Sequence, residues 1–278
     1  MNILEFSLLL WISSFSAGLI GALTGLGGGI VIIPLLTSVF GVDIRYAVGA
    51  SLVSVIATSL GAASTYIKKG YTNLRLGMFL EVATTIGAII GALTAAFVSV
   101  KALTIVLAIV LIYSAYLSQQ PRIEHTEDES TDPLANYLKL NNSYPTADGL
   151  VSYQVHSIPT GFSVMLMAGV LSGLLGIGSG GFKVLAMDQA MRVPFKVSTT
   201  TSNFMISVTA AASAGVYLVR GYIDPGLSMP VMLGVLPGAF LGARVLVGAN
   251  TQVLRIIFSL VLVVMALKMV YTSLIGGL

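Results

Sequence analysis

Runs of about twenty apolar residues recur along the whole chain, near 4–23, 47–67, 74–98, 101–118, 160–178, 197–219, 226–247 and 252–274. At about 1.5 Å of helix rise per residue, each is long enough to cross a hydrocarbon core roughly 30 Å thick. In lipid, backbone polar groups must be satisfied within the chain, so the spanning elements are helices or a closed barrel. A barrel needs alternating strands of roughly ten residues, and no such alternation recurs. The chain therefore reads as an all-α polytopic membrane protein. Its charged residues, 9% of 278, fall far below the share of about 25% in soluble domains.

Two shorter apolar segments, 29–41 and 181–192, follow glycine runs. Each reaches only about 20 Å as a helix, short of a full crossing. They are either half-helices that re-enter or short tilted spans. The N-terminal "MNILEFSLLLWISS" has no Lys or Arg before its apolar run. It reads as a retained first span, because a cleaved signal peptide carries a basic leading region.

The two halves share a register. A shift of 151 residues places "LTGLGGG" on "LLGIGSG", Ser51 on Ser202, Tyr66 on Tyr217 and Gly70-Tyr71 on Gly221-Tyr222. It also places Gly87-Ala88 on Gly238-Ala239 and Gly91-Ala92 on Gly242-Ala243, with no gap. A register held this long marks a duplicated unit, and internal duplication is characteristic of transporters. Residues 1–118 are the first transmembrane repeat and 160–278 the second, each with four or five helices broken at glycines. If the short segments re-enter, the repeats are parallel; if they cross, they are inverted. Eight spans divide the cationic residues evenly between the two sides. Ten spans group Lys68, Lys69, Arg75, Arg192, Lys196 and Arg255 with the central loop, against Arg45, Lys101, Arg220 and Lys268. The positive-inside rule slightly favours ten, with the loop cytoplasmic.

That loop, 119–159, is polar and extramembrane, with an acidic run "EHTEDESTDP" that reads as solvated. Val151, Tyr153 and Val155 alternate with polar residues as a strand does. The spacing predicts a small hairpin, with Tyr137–Leu140 as the partner strand.

Several functions are excluded. No basic cluster interleaves with aromatics, so nucleic acid is not a partner. Cys is absent, which removes disulfides and thiol chemistry. No His, Cys or carboxylate cluster has metal-ligand spacing, and no cofactor is implied. No Ser/His/Asp set falls near one pocket, so an enzyme reading has no support. Gly176-x-Gly178-x-x-Gly181 matches the dinucleotide fingerprint in form only. That motif needs a preceding strand and an acidic residue about twenty positions on; here an apolar helix precedes it and position 196 is lysine.

The glycine runs read better as interrupted helices. Irregular backbone at membrane depth survives where it lines a cavity or is buried in protein. Two breaks at matching positions of two halves point to a midplane substrate site. Gly25, Gly27, Gly28 and Gly29 make the first break; Gly176, Gly178, Ser179 and Gly180 make the second. Each is followed by a hydroxyl-rich stretch, "YAVGASLVS" and "KVSTTTSNFM". Read as helix starts, these offer Ser51, Thr199, Thr200, Thr201, Ser202 and Asn203 as anion-binding candidates; plain capping is the alternative. Lys183 follows the second break among apolar neighbours. A charge at such depth costs about 3 kcal/mol or more and suggests function. It is an anion partner, or it snorkels, or it pairs with Asp188. Glu81 lies about 7 Å from the middle of its span, as a proton-coupling group or a buried structural carboxyl. Gly87-x-x-x-Gly91 and Gly238-x-x-x-Gly242 read as close packing faces.

"GLIGALTGLGGGIVIIPLL" with "YAVGASL", and "GVLSGLLGIGSGGFKVLAM" with "VPFKVSTTTSNFMISVTAAASAGVY", resemble the sulfite exporter TauE/SafE family, also described as the 4-toluene sulfonate uptake permease family. The resemblance covers nearly the whole chain and both repeats. Ser179 stands where the first repeat has Gly28, a small departure. The resemblance implies a multi-pass transporter in a bacterial or archaeal inner membrane, moving small sulfur-containing anions such as sulfite and organosulfonates. An anion channel, or a carrier of another small anion, is the competing reading. The lipid bilayer and the anion are the implied partners, and homo-oligomer formation stays open.

Overall fold

The structure is a computed structural model that describes residues 3–24, 28–68, 70–119, 132–146, 149–246 and 251–275. It begins with α1 (Ile3–Thr24), the short α2 (Gly29–Ser38), α3 (Ile44–Lys68), α4 (Leu74–Thr94) and α5 (Val100–Gln119). After α6 (Pro133–Tyr137) and strands β1 (Asn142–Thr146) and β2 (Gly149–Tyr153) come α7 (Ile158–Leu175) and the short α8 (Gly180–Leu185). A π-helical turn, Ala186–Ala190, extends α8; α9 (Phe195–Val219), α10 (Pro225–Leu246) and α11 (Thr251–Ile275) complete the chain.

Among the described residues, four helices are long and apolar enough to cross a membrane: Leu74–Thr94, Ile158–Leu175, Phe195–Val219 and Pro225–Gly242. The architecture is that of an all-α membrane protein. The apolar residues exposed on its outside, such as Met78, Val82 and Ile86 of α4 or Leu233 and Phe240 of α10, are the residues that lipid solvates.

The packing is crossed between the two ends of the chain. α1 lies along α10, α4 along α7, α3 along α9 and α5 along α11. Two of these contacts are close enough to require glycine. A Cβ at Gly87 would stand 2.2 Å from the Leu166 carbonyl oxygen, and one at Gly91 would stand 2.1 Å from that of Val170. At Gly238 the distance to the Phe15 carbonyl oxygen would be 2.1 Å. No real Cβ fits there, so α4 against α7 and α1 against α10 are backbone-to-backbone contacts of the small-residue kind. A continuous apolar core joins both halves through Ile32 and Leu36 of α2, Leu52 and Val55 of α3, Leu107 of α5, Ile206 of α9 and Val235 of α10.

The hairpin forms, with a different partner strand from the one expected. β1 pairs antiparallel with β2, Tyr144 opposite Val151 and Asn142 opposite Tyr153. Tyr137–Leu140 is not a strand. Asp132 caps Leu134 N–H, Pro133 presets the first helical turn, and α6 runs through Tyr137. Lys139 then reverses the chain at a φ of 51°. Most of the acidic run falls in 120–131, outside the described residues.

Asn73 fastens this polar segment to the helices. Its side chain caps α4 by accepting from Leu76 N–H at 3.1 Å. Its Nδ2 donates to the Leu140 carbonyl and to the Tyr153 hydroxyl, each at 2.8 Å. Its backbone N–H donates to Thr201 Oγ1 at 3.0 Å. Burial pushes the Tyr153 phenol upward, partly opposed by the Asn73 amide. Beneath the hairpin a second apolar cluster gathers Leu76, Leu140, Val155, Ile158, Met187 and Val197.

Candidate functional site

The second glycine segment turns the chain between α7 and α8. Gly176 and Gly178 adopt φ of 66° and 72°, and Ser179 follows at 47°. This left-handed backbone is native to glycine and strained for other residues. The segment is also wedged. A Cβ at Gly176 would stand 2.5 Å from Val48 Cγ1 of α3, and one at Gly178 would stand 3.0 Å from Ile206 Cγ2 of α9.

The first segment behaves otherwise. Gly25 and Gly27 lie outside the described residues. Gly28 is right-handed at φ −63° and precedes the first turn of α2. Gly29 sits where a Cβ would meet Val55 Cγ2 at 2.5 Å, Ser51 Oγ at 2.7 Å and the Gly176 carbonyl oxygen at 3.3 Å. The two glycine segments therefore touch.

The two hydroxyl-rich stretches begin in the first turns of α9 and α3, but their hydroxyl residues lie deeper than the helix starts the sequence suggested. Pro194 sets the start of α9 at Phe195, and α3 begins at Ile44. Ser51, Thr200, Thr201, Ser202 and Asn203 thus lie one to two turns inside their helices, where backbone amides are already used within the helix. Their hydroxyls have defined tasks instead. Ser51 Oγ donates to the Gly176 carbonyl at 2.9 Å, and Ser202 Oγ to the Gly180 carbonyl at 3.1 Å. Gly176 ends α7, so its carbonyl has no helical partner, whereas the Gly180 carbonyl begins α8 and takes the Ser202 hydroxyl as a further donor. Thr200 Oγ1 lies within hydrogen-bond reach of the Tyr71, Lys196 and Val197 carbonyls. Thr201 accepts from Asn73. Ser179 Oγ and Thr199 Oγ1 are buried without a hydrogen-bond partner, and Asn203 is buried.

Lys183 is fully buried, and it pairs with Glu81 of α4, not with Asp188. Its Nζ lies 3.7 Å from Glu81 Oε2 and donates a short hydrogen bond to Thr209 Oγ1. Thr209 passes the contact on, donating to Glu81 Oε1 at 2.6 Å. Thr85 Oγ1 donates to the same oxygen at 3.1 Å. Three elements meet here: α4 brings Glu81 and Thr85, α8 brings Lys183, and α9 brings Thr209. An isolated lysine at this depth would carry a large desolvation penalty; a carboxylate within 4 Å offsets it. The two ionisable candidates are one unit. Thr85 was legible, four residues after Glu81 on one helix face. Thr209, set among small apolar residues in "ISVTAAASAG", offered no comparable signal.

The model of the sulfite exporter TauE/SafE family matches residues 10–269. The chain belongs to that family. It is similar to the probable membrane transporter protein YunE of Bacillus subtilis (strain 168), with 26% identity over 92% of this chain and 94% of the relative. The probable membrane transporter protein YdhB of the same strain is 26% identical over 83% of this chain and 86% of its own length. A probable membrane transporter protein of Methanocaldococcus jannaschii is 25% identical over 94% of each chain. No solved structure matches. As a TauE/SafE member with these apolar helices, the chain is a multi-pass membrane protein from a family of membrane transporters.

Proposed function

We propose that this protein transports small sulfur-containing anions, of the sulfite and organosulfonate type, across the inner membrane of a bacterial or archaeal cell. The working parts are two homologous repeats, 1–118 and 160–278, joined by an extramembrane segment at 119–159. The helices interrupted at their glycines hold the anion near the bilayer midplane.

One observation carries this reading. The two glycine segments touch, and a fully buried lysine stands five residues beyond Gly178. An anion at this point meets non-helical backbone, the unpartnered hydroxyl of Ser179 four residues before Lys183, and one cation held ready by Glu81. Such a site suits a small oxyanion, whose desolvation needs several donors and one full charge. The crossed packing also supports the repeat reading. α1 on α10 and α4 on α7 are equivalent under the 151-residue register, as are α3 on α10 and α4 on α9.

The test is counterflow in proteoliposomes loaded in turn with sulfite, sulfoacetate, taurine, thiosulfate and sulfate. A carrier exchanges internal for external anion, so one or more of these gives transient accumulation of labelled anion against its gradient. Leak without counterflow indicates a channel, and no flux with any of the five overturns the substrate class.

A further inference from the structure

The Glu81–Lys183 pair has one unfilled position. Glu81 Oε1 accepts from Thr209 and Thr85. Glu81 Oε2 is buried, has no hydrogen-bond partner, and stands 3.7 Å from the ammonium. That separation gives charge attraction without a hydrogen bond. Lys183 carries three N–H donors; one serves Thr209, and no other acceptor lies within hydrogen-bond distance among the described residues. The pair thus holds an oxygen open to a proton and a cation open to an anion, side by side and out of water.

Charge arithmetic links the two. The pair alone sums to zero. An anion beside Lys183 leaves one uncompensated negative charge; a proton on Oε2 leaves one uncompensated positive charge. In a medium of low permittivity either state alone is strongly disfavoured, whereas both together sum to zero again. The geometry points to proton–anion symport: Glu81 Oε2 takes up a proton as Lys183 turns from the carboxylate to the substrate anion. Lys183 stays an ammonium throughout. The proton enters from the same aqueous side as the anion and leaves with it, and the carboxylate then recaptures the lysine. This rests on the anion-transport reading above.

The surroundings leave the pair to itself. α4 carries Arg75 and α9 carries Lys196, Tyr217 and Arg220 toward or beyond their ends. By helix rise these lie roughly 9 Å or more along the axis from Glu81 or Thr209. Asp188 follows on the π-helical turn, one turn or more beyond Lys183, and Tyr113 of α5 stacks on Phe182. α7 carries no ionisable side chain.

The experiment uses purified full-length protein in proteoliposomes with a luminal pH dye, the membrane potential clamped at zero by valinomycin and equal potassium. Methanesulfonate, ethanesulfonate and toluenesulfonate, each a monoanion, are supplied in turn as an inward gradient, and anion and proton uptake are both counted. Wild type should acidify the lumen with about one proton per anion. In Glu81→Gln, which keeps the acceptor for Thr209 and Thr85, whatever anion flux remains should move close to no protons. Wild-type anion uptake without acidification overturns symport and leaves the transport reading standing. Proton coupling in Glu81→Gln equal to wild type removes Glu81 as the carrier. Should none of the three enter, the proton count is made on whichever anion gives counterflow; no flux of any of them overturns the transport reading, and this inference with it. If Glu81→Gln does not fold, the wild-type proton count alone decides.

Discussion

The two glycine segments occupy matching places in the 151-residue register, yet only one is charged. Lys183 corresponds to Ile32, Glu81 to Met232 and Thr209 to Thr58. Lys183 and Ile32 are both fully buried. Thr58 donates back to the Val55 carbonyl of its own helix at 3.2 Å, whereas Thr209 bridges two charged groups. The backbone differs too: Ser179 is left-handed at a φ of 47°, while its counterpart Gly28 is helical. The frame is shared and the chemistry sits on one side of it.

The strongest way to break this asymmetry is to charge the apolar side. Ile32→Lys should cost about 3 kcal/mol for the buried charge and about 1–3 kcal/mol more for overpacking. Folded protein recovered after membrane extraction should fall sharply. Adding Met232→Glu should restore part of the loss if the register reproduces the geometry of Glu81 and Lys183. Recovery no better than in the single variant would show that the halves do not superpose at this site.

The next effect comes from discharging the charged side. Lys183→Met leaves Glu81 buried without its cation and should cost about 3 kcal/mol or more. The double variant Lys183→Met with Glu81→Gln removes both charges at similar volume and should unfold within about 1 kcal/mol of wild type. Neither should transport anions. Thermal unfolding in detergent, read beside flux, separates the two roles. Wild-type flux in the double variant would show that the pair serves packing alone.

The apolar helices were legible because each rests on a local signal, an apolar run of a given length. The starts of α9 and α6 were less so, because Pro194 and Pro133 set them against the more visible hydroxyl and aromatic patterns. The strand at Asn142–Thr146 contains Pro145 and little alternation, so its pairing with Gly149–Tyr153 was hidden. Within the site, Lys183 and Glu81 each stood out as charges in apolar surroundings. Their pairing was not readable, since one lies on α4 and the other on α8, and periodicity within a helix says nothing of contacts between helices. Thr209 has its role only through that contact.

A smaller effect distinguishes the two backbones. Gly176→Ala must hold a left-handed φ and push against Val48. It should lower stability by about 1–2 kcal/mol. Gly28→Ala keeps a helical φ, and its nearest neighbour, Val235 Cγ1, would be 3.4 Å away. Its stability should change by less than about 0.5 kcal/mol. Equal losses in thermal unfolding would mean that the first segment is as constrained as the second.

The smallest expected effect concerns the two matching serines, and it separates anion binding from backbone support. Ser51 and Ser202 each donate to a carbonyl of the second glycine segment, at Gly176 and Gly180. Among the described residues neither donates to the first segment, so the asymmetry reaches even residues that the register makes equivalent. Ser51→Ala leaves the buried Gly176 carbonyl without its donor, worth about 1 kcal/mol of stability, and Ser202→Ala removes one hydrogen bond to Gly180, worth no more than that. If these hydroxyls only support the backbone, substrate affinity should change by less than about threefold, well under the tenfold or more expected for losing a hydrogen bond to a charged ligand. Counterflow half-saturation and unfolding temperature, measured on both variants, settle which holds. A tenfold loss of affinity in Ser202→Ala with stability unchanged would mean that its hydroxyl leaves Gly180 to meet the anion.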